Sequence, residues 1–325
     1  MKRLTAILAA LILLGSVCAV YAEPAAETAE IPRTASISVH LATVEEGQQK
    51  MRERTLFHEQ LTEYALAFFV QKKGGTVKEY IGYSAEQVIE FTPEDMQRVS
   101  NALAWLREKL EQYELLLPDP GEITFVKSTC METLGAAGYT TGGNIFLADL
   151  TFNPAIYSDD MFHELIVHEL FHCLTRLHPE FRSAMYSLIH FTVLDQDIDV
   201  PEEILSQVIA NPDVEHHNSY ATFTIGGEKK DCYLVFLTDS VFEKPGDNFF
   251  SGMYTGIVPL DGSRVYRTED VPDFWNVIGR NTPYAEDPEE VMAVNFAYAL
   301  LNLEQVYGNI KSPEILKGII DYLKN

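Results

Sequence analysis

The sequence predicts an α+β fold, on three observations. Apolar runs of helical length and spacing recur along the chain. Short strand-like stretches, at 37–44, 123–126 and 144–147, stand ahead of one of these runs. That run, 159–177, is apolar almost all the way round, the mark of a central helix. Together they describe a small mixed sheet plus helices, with a central helix and a largely helical C-terminal lobe.

The chain begins with Lys2 and Arg3, an apolar stretch from Leu4 to Val20, and Val20-Tyr21-Ala22, a small-x-small site before Glu23. This reads as a cleaved export signal over 1–22 and a secreted or periplasmic product. Ser16-Val17 ahead of Cys18 is a poor context for lipid attachment. No later apolar stretch is long enough to span a bilayer, so no stable membrane insertion is expected. Residues 23–35, rich in Ala, Glu and Pro, read as a flexible leader.

Ile37 to Val44 alternates as a strand, with Ile37, Val39 and Leu41 on one face. Met51 to Gln71 has helical spacing and runs into Lys72-Lys73-Gly74-Gly75. Thr92-Pro93-Glu94-Asp95 opens a helix to about Leu116, and Leu117 to Gly121 is a turn. Strands follow at Ile123–Val126 and, after Gly142-Gly143, at Asn144–Leu147. Ser158-Asp159-Asp160 caps the central helix and Pro179 ends it. Phe181 to Phe191 reads as a continuation or second helix. Pro201 to Pro283 is mixed, with strand-like runs at Cys232–Thr238 and Tyr254–Val258. Asp287-Pro288 opens an apolar helix to about Leu303, and Ser312-Pro313 a last one to Leu323. The organisation expected is an N-terminal lobe, 36–177, ending in the central helix, and a C-terminal lobe, 178–325.

With 24 basic residues against 48 acidic ones, the formal charge of −24 argues against nucleic acid or an anionic membrane surface as partner. Beyond the signal the chain has three cysteines, Cys130, Cys173 and Cys232. If two pair in an oxidising compartment, Cys130 and Cys232 are the expected pair, with Cys173 a core thiol inside the central helix.

The central helix carries the chemistry. His168-Glu169-Leu170-Phe171-His172 spells H-E-x-x-H. Residues four apart lie about 40° apart around a helix, so both imidazoles leave one face, as two zinc ligands require. Glu169, about 100° from His168, flanks the metal, where a carboxylate can take a proton from water. Glu164, one turn earlier on the same face, can orient a ligand imidazole, or is simply an acid favoured by the helix dipole. His163 points away, and His216-His217 belong to a polar loop.

A third ligand must come from elsewhere. One candidate is His178, at the spacing H-E-x-x-H-x-x-G-x-x-H of the metzincins, but with Thr175 where the motif has glycine. A β-branched residue resists the positive φ that swings the chain back, so the helix should run on past it. The other candidates are Glu289 and Glu290, in the first turn of the 288–303 helix. Glu290-Val291-Met292-Ala293-Val294-Asn295-Phe296 matches E-x-x-A-x-x-F, and with the H-E-x-x-H helix the chain resembles zincin metallopeptidases, most of all the gluzincin branch. Val294 stands where some relatives carry another acid. The resemblance implies a zincin-like fold, a Zn2+ ion held by His168, His172 and Glu290, and Glu169 as general base. It further implies a secreted zinc-dependent peptidase acting on protein or peptide, with Tyr139, Tyr220 and Tyr284 as possible transition-state donors. The rival expectations are a zinc-stabilised binding protein that cleaves nothing, and an amidase acting on a non-protein amide such as a cell-wall crosslink.

Overall fold

The computed structural model describes residues 32–248, 250–303 and 310–325. The expected signal lies outside the described residues. Of the expected leader, Arg33–Thr34 form strand β1, and the Arg33 guanidinium donates to the Tyr322 carbonyl at 3.2 Å. Strand β2 (Ser38–Leu41) follows, with Val39 and Leu41 packed on the main core as the alternation predicts. It ends before Val44 because Thr43 caps a helix. The Glu46 N–H donates to the Thr43 hydroxyl at 3.3 Å and the Glu46 carboxylate accepts the Thr43 N–H at 2.8 Å, so Val44 starts α1 (Val44–Arg52).

The single helix expected over 51–71 is broken. After α1 come α2 (Leu56–Gln60) and α3 (Glu63–Phe69). Thr55 and Thr62 sit in extended backbone at the two breaks, and the Thr62 hydroxyl accepts the Ala65 N–H at 3.1 Å. Threonine offers the backbone a capping partner in place of the helix ladder, and here it wins over the apolar spacing. Thr76 starts α4 (Val77–Glu86) with Glu79 in the same way, an element the periodicity does not announce. Helix α5 (Pro93–Gln112) opens at Thr92 as expected and stops short of Leu116, where Glu114 turns the chain at φ 54°.

Strand β3 (Leu117–Pro118) pairs with β1, and β4 (Glu122–Ser128) enters the main sheet. Strands β5 (Gly138–Thr141) and β6 (Asn144–Ala148) form a hairpin whose two-residue turn, Gly142-Gly143, takes positive φ at both positions (55° and 73°). The sheet order is β2-β4-β6-β5, parallel except for β5, the edge strand. Helix α6 (Asp159–Leu177) has the predicted limits, with the Met161 N–H donating to the Ser158 hydroxyl at 3.3 Å and α7 (Pro179–Ser187) starting beyond His178. Its Phe162, Ile166, Val167, Leu170, Phe171 and Leu174 are all buried in the main core.

The C-terminal half is not largely helical. After β7 (Thr192–Val193) and the short α8 (Glu202–Leu205), strands β8 (Ser219–Ile225), β9 (Glu228–Thr238) and β10 (Met253–Pro259) complete an antiparallel sheet of order β10-β9-β8-β7. The alternation of β8 is plain once seen, with Ser219, Ala221, Phe223 and Ile225 buried. It is masked in sequence because its buried face includes the small polar Ser219 and only two large apolar residues, and because β9 opens with four charged residues. Short α9 (Phe274–Val277), α10 (Pro288–Leu301) and α11 (Pro313–Leu323) follow. Helix α10 packs against α6, with Phe171 and Phe296 at 5.3 Å between ring centroids.

The result is an α+β chain, and no helix among its described residues is long and apolar enough to cross a membrane. The expected Cys130–Cys232 bridge is absent. Both thiols and that of Cys173 are free and buried, Cys130 and Cys232 in separate apolar clusters.

Candidate metal centre

Helix α6 projects His168 and His172 from one face, their ring centroids 4.9 Å apart. The first turn of α10 brings Glu290 to them. Asp287 caps that helix itself by accepting the Glu289 N–H at 2.8 Å, which frees Glu290 from capping duty. Glu290 Oε2 lies 3.2 Å from His168 Nε2 and 3.9 Å from His172 Nε2. Ligand atoms of all three residues fall within 4.8 Å of one another, a group that can hold a metal ion. Asn211 donates to Glu290 Oε1 at 2.6 Å, which leaves Oε2 turned to the histidines. That Oε2 and His172 Nε2 are buried and make no hydrogen bond, a costly state unless an ion lies between them.

Glu289 is placed differently. Its Oε1 accepts His172 Nδ1–H at 3.0 Å and the Thr175 hydroxyl at 2.5 Å, and its Oε2 accepts the Tyr186 hydroxyl at 2.6 Å. Because a carboxylate can only accept, Nδ1 carries a proton, and Nε2 is left on the side of Glu290. Glu289, the alternative candidate for third ligand beside Glu290, therefore grips the back of His172 instead. Thr175 also shows why His178 stays away. It remains helical, and His178 Nε2 meets the Asp119 carbonyl at 2.8 Å, the chain having run on to Leu177.

Glu169 is 2% exposed, with Oε2 accepting the Thr140 hydroxyl at 2.8 Å. Gly138 allows the close approach: a Cβ there would stand 3.1 Å from Glu169 Oε1. A further carboxylate comes from the loop before β8. Asp213 Oδ1 accepts the Thr140 N–H at 2.5 Å and lies 4.0 Å from His172 Nε2, and Glu169, His172 and Asp213 form a second group able to hold an ion.

Electrostatically the centre calls for positive charge. Against the cost of its burial, Asp213, Glu289 and Glu290 push His172 up to about 10. Burial raises Glu169 and Asp213, each further raised by carboxylate neighbours. Burial with Glu290 beside it raises Glu286 to about 9. A divalent ion reverses this imbalance by supplying the missing counter-charge.

A cleft of about 530 Å³ opens on His168 and Glu169, walled by Phe69, Leu165, Ile209, Phe236 and Met253. Glu164, Asp213 and Glu286 also line it, and among its described lining residues there is no lysine or arginine. Glu164 faces this space, its carboxyl raised by burial and drawn down by His168. Of the three tyrosines, only Tyr284 directs its hydroxyl to the cleft's carboxylates. The Tyr139 hydroxyl is turned to Glu132 at 2.8 Å, and Tyr220 sits across from Thr192 in the second sheet. His163 stacks on Trp105 at 4.3 Å, and His216 pairs with Asp197 at the surface.

Thr140, Asn211 and Asp213 escape sequence reasoning, as does the supporting role of Glu289, which the sequence offers only as a possible ligand. A Glu-Glu pair opening a buried helix does hint that both are employed, but nothing local to Asn211-Pro212-Asp213 marks it. No protein family, curated protein or solved structure matches the chain.

Proposed function

We propose that this chain is a zincin-like, gluzincin-type peptidase whose zinc ion is held by His168, His172 and Glu290. One observation carries the reading: two buried polar atoms without partners, His172 Nε2 and Glu290 Oε2, converge with His168 Nε2 from two separate helices. Two imidazole nitrogens and one carboxylate oxygen suit zinc in a catalytic rather than a closed structural site. When bound, zinc supplies Lewis acidity, making water a nucleophile near neutral pH and polarising a carbonyl.

The chain's own groups do the rest. Glu169 takes a proton from the attacking water and passes it to the departing amine. Thr140 holds its Oε2 and Gly138 lets the substrate-side strand come close. Glu289 keeps the His172 tautomer, and Asn211 keeps the Glu290 rotamer. Edge strand β5 borders the cleft, where an extended peptide can add its backbone to the sheet. A carboxylate beside the two ligands favours an enzyme over a metal-stabilised binding protein, since a structural site has no use for a base.

Metal analysis of the purified protein beside Glu290→Ala and His178→Ala tests the assignment. A single equivalent of zinc in the parent and in His178→Ala, and its loss in Glu290→Ala, is the expected pattern. Zinc lost from His178→Ala instead, or none in the parent, overturns it.

A further inference from the structure

Among the described residues, the cleft that opens on His168 and Glu169 reaches Asp213 and goes no further along β5 than Tyr139. A second hollow beyond it, lined by Arg176 and Glu215, shares only Asp213 with it. The reason is in the strand edge. Tyr139 pairs with Phe146 across the hairpin and Ala137 accepts the Ala148 N–H, so by antiparallel alternation Gly138 and Thr140 turn their backbone groups outward. At Thr140 both are already taken. Its N–H donates to Asp213 at 2.5 Å, and its carbonyl accepts from Arg176 Nη2 at 3.1 Å. The same Nη2 donates to the Pro212 carbonyl at 3.0 Å, and Asn211 is tied to Glu290. Segment 211–213 is thus fastened to helix, strand and ligand alike. A peptide lying along β5 meets a wall where Thr140 begins.

We propose, building on the peptidase reading above, that the centre trims substrates from a free amino terminus, segment 211–213 ending the cleft and the Asp213 and Glu286 carboxylates receiving the terminal ammonium. Charge selects the amino end over the carboxyl end. The cleft presents Glu164, Asp213 and Glu286, with no lysine or arginine among its described lining residues to hold a terminal carboxylate. His172 Nε2 and Glu290 Oε2, buried and without hydrogen bonds, lie at this end of the cleft, His172 Nε2 being 4.0 Å from Asp213 Oδ1. The step is hydrolysis of the first peptide bond. The C–N bond breaks, the water oxygen joins the acyl carbon, the leaving nitrogen gains a proton, and nothing is oxidised or reduced.

The test offers the zinc-loaded protein two mixed-sequence decapeptide pools, one with free amino termini and one N-acetylated, and reads the products by mass spectrometry. The Glu169→Gln protein is titrated with the same pools, so that binding is measured even without turnover. The free pool should be shortened one residue at a time and preferred about tenfold or more, the scale of a charged hydrogen bond. Asp213→Asn, which still accepts the Thr140 N–H, and Glu286→Gln should each narrow that preference with zinc retained. Equal use of the two pools, or internal cuts in both, overturns the inference. So does bound zinc with no discrimination in either turnover or binding, which leaves the metal centre standing. A parent that holds no zinc removes the peptidase reading itself.

Discussion

Two buried charge clusters in this molecule invite comparison. On β4, Lys127 is 4% exposed and lies 2.7 Å from both Asp95 and Asp149. Asp95 is also the capping partner of Thr92, whose N–H it accepts at 2.8 Å. Each of these groups has its counter-charge or its donor. The candidate metal centre is the opposite: several carboxylates against two imidazoles, with two buried atoms that make no hydrogen bond. A cluster that closes on itself is there to hold the fold, whereas one that stays open on its own terms is there to receive something. The difference lies in satisfaction rather than burial, and each prediction below presses on it.

The largest expected effect is chemical. Glu169→Gln keeps the shape and the Thr140 hydrogen bond but cannot take a proton, so hydrolysis should fall about 10²–10⁴-fold while the zinc content stays unchanged. Turnover surviving in that variant removes Glu169 from the role of base.

Next comes the closed cluster. Lys127→Met leaves Asp95 buried beside an apolar chain, and breaking a buried pair from one side costs about 3–5 kcal/mol. Asp149 adds little to this, since its side chain is 61% exposed and solvent screens it. Urea unfolding with an unchanged slope and a lower midpoint is the expected record. No metal should be lost, because Lys127 touches none of the ligands.

Glu289→Gln should act on the open cluster at the smaller scale of about 10–100-fold in zinc affinity. The amide retains the size of the carboxylate but no longer has to accept from Nδ1, so His172 loses its fixed tautomer. Competition against a chromophoric chelator reads the change. An affinity equal to the parent's places Glu289 outside the centre's support.

How much of this was legible varies with how local the cause is. The limits of α6 follow from Ser158 and Pro179, and those of α10 and α11 from Asp287-Pro288 and Ser312-Pro313, all within a turn of the boundary. His168, Glu169 and His172 are legible for the same reason, being one turn of one helix. Glu290 needed the E-x-x-A-x-x-F pattern to separate it from Glu289, and helical phase alone left both possible. The breaks at Thr55 and Thr62 were hidden because threonine suits a helix interior or a cap, and only the tertiary setting chooses. Asp213 and Asn211 were beyond reach altogether. Their role comes from a loop meeting β5 and α10 across the fold, and no spacing along the chain encodes that encounter.

The smallest effect sharpens the comparison through pH. Although burial works the other way, Lys127 and the Thr92 hydrogen bonds hold the Asp95 carboxyl below its ordinary value of 3.8. A folded-state pKa below the unfolded one contributes stability that is present above the unfolded value and is lost as pH falls through the folded one. In Lys127→Met the main cause of that depression is gone while burial remains, so the Asp95 pKa should rise and its protonation relieve the uncompensated charge. The stability gap between parent and Lys127→Met should therefore be widest near pH 7 and narrow on approach to pH 3, by about 1.4 kcal/mol per unit of pKa difference. Urea midpoints of the two proteins across that range measure it, since the titration of carboxylates away from Lys127 is shared and cancels. A gap that stays constant or widens in acid means that Asp95 and Lys127 are not the closed pair described, and the contrast with the metal centre loses its reference.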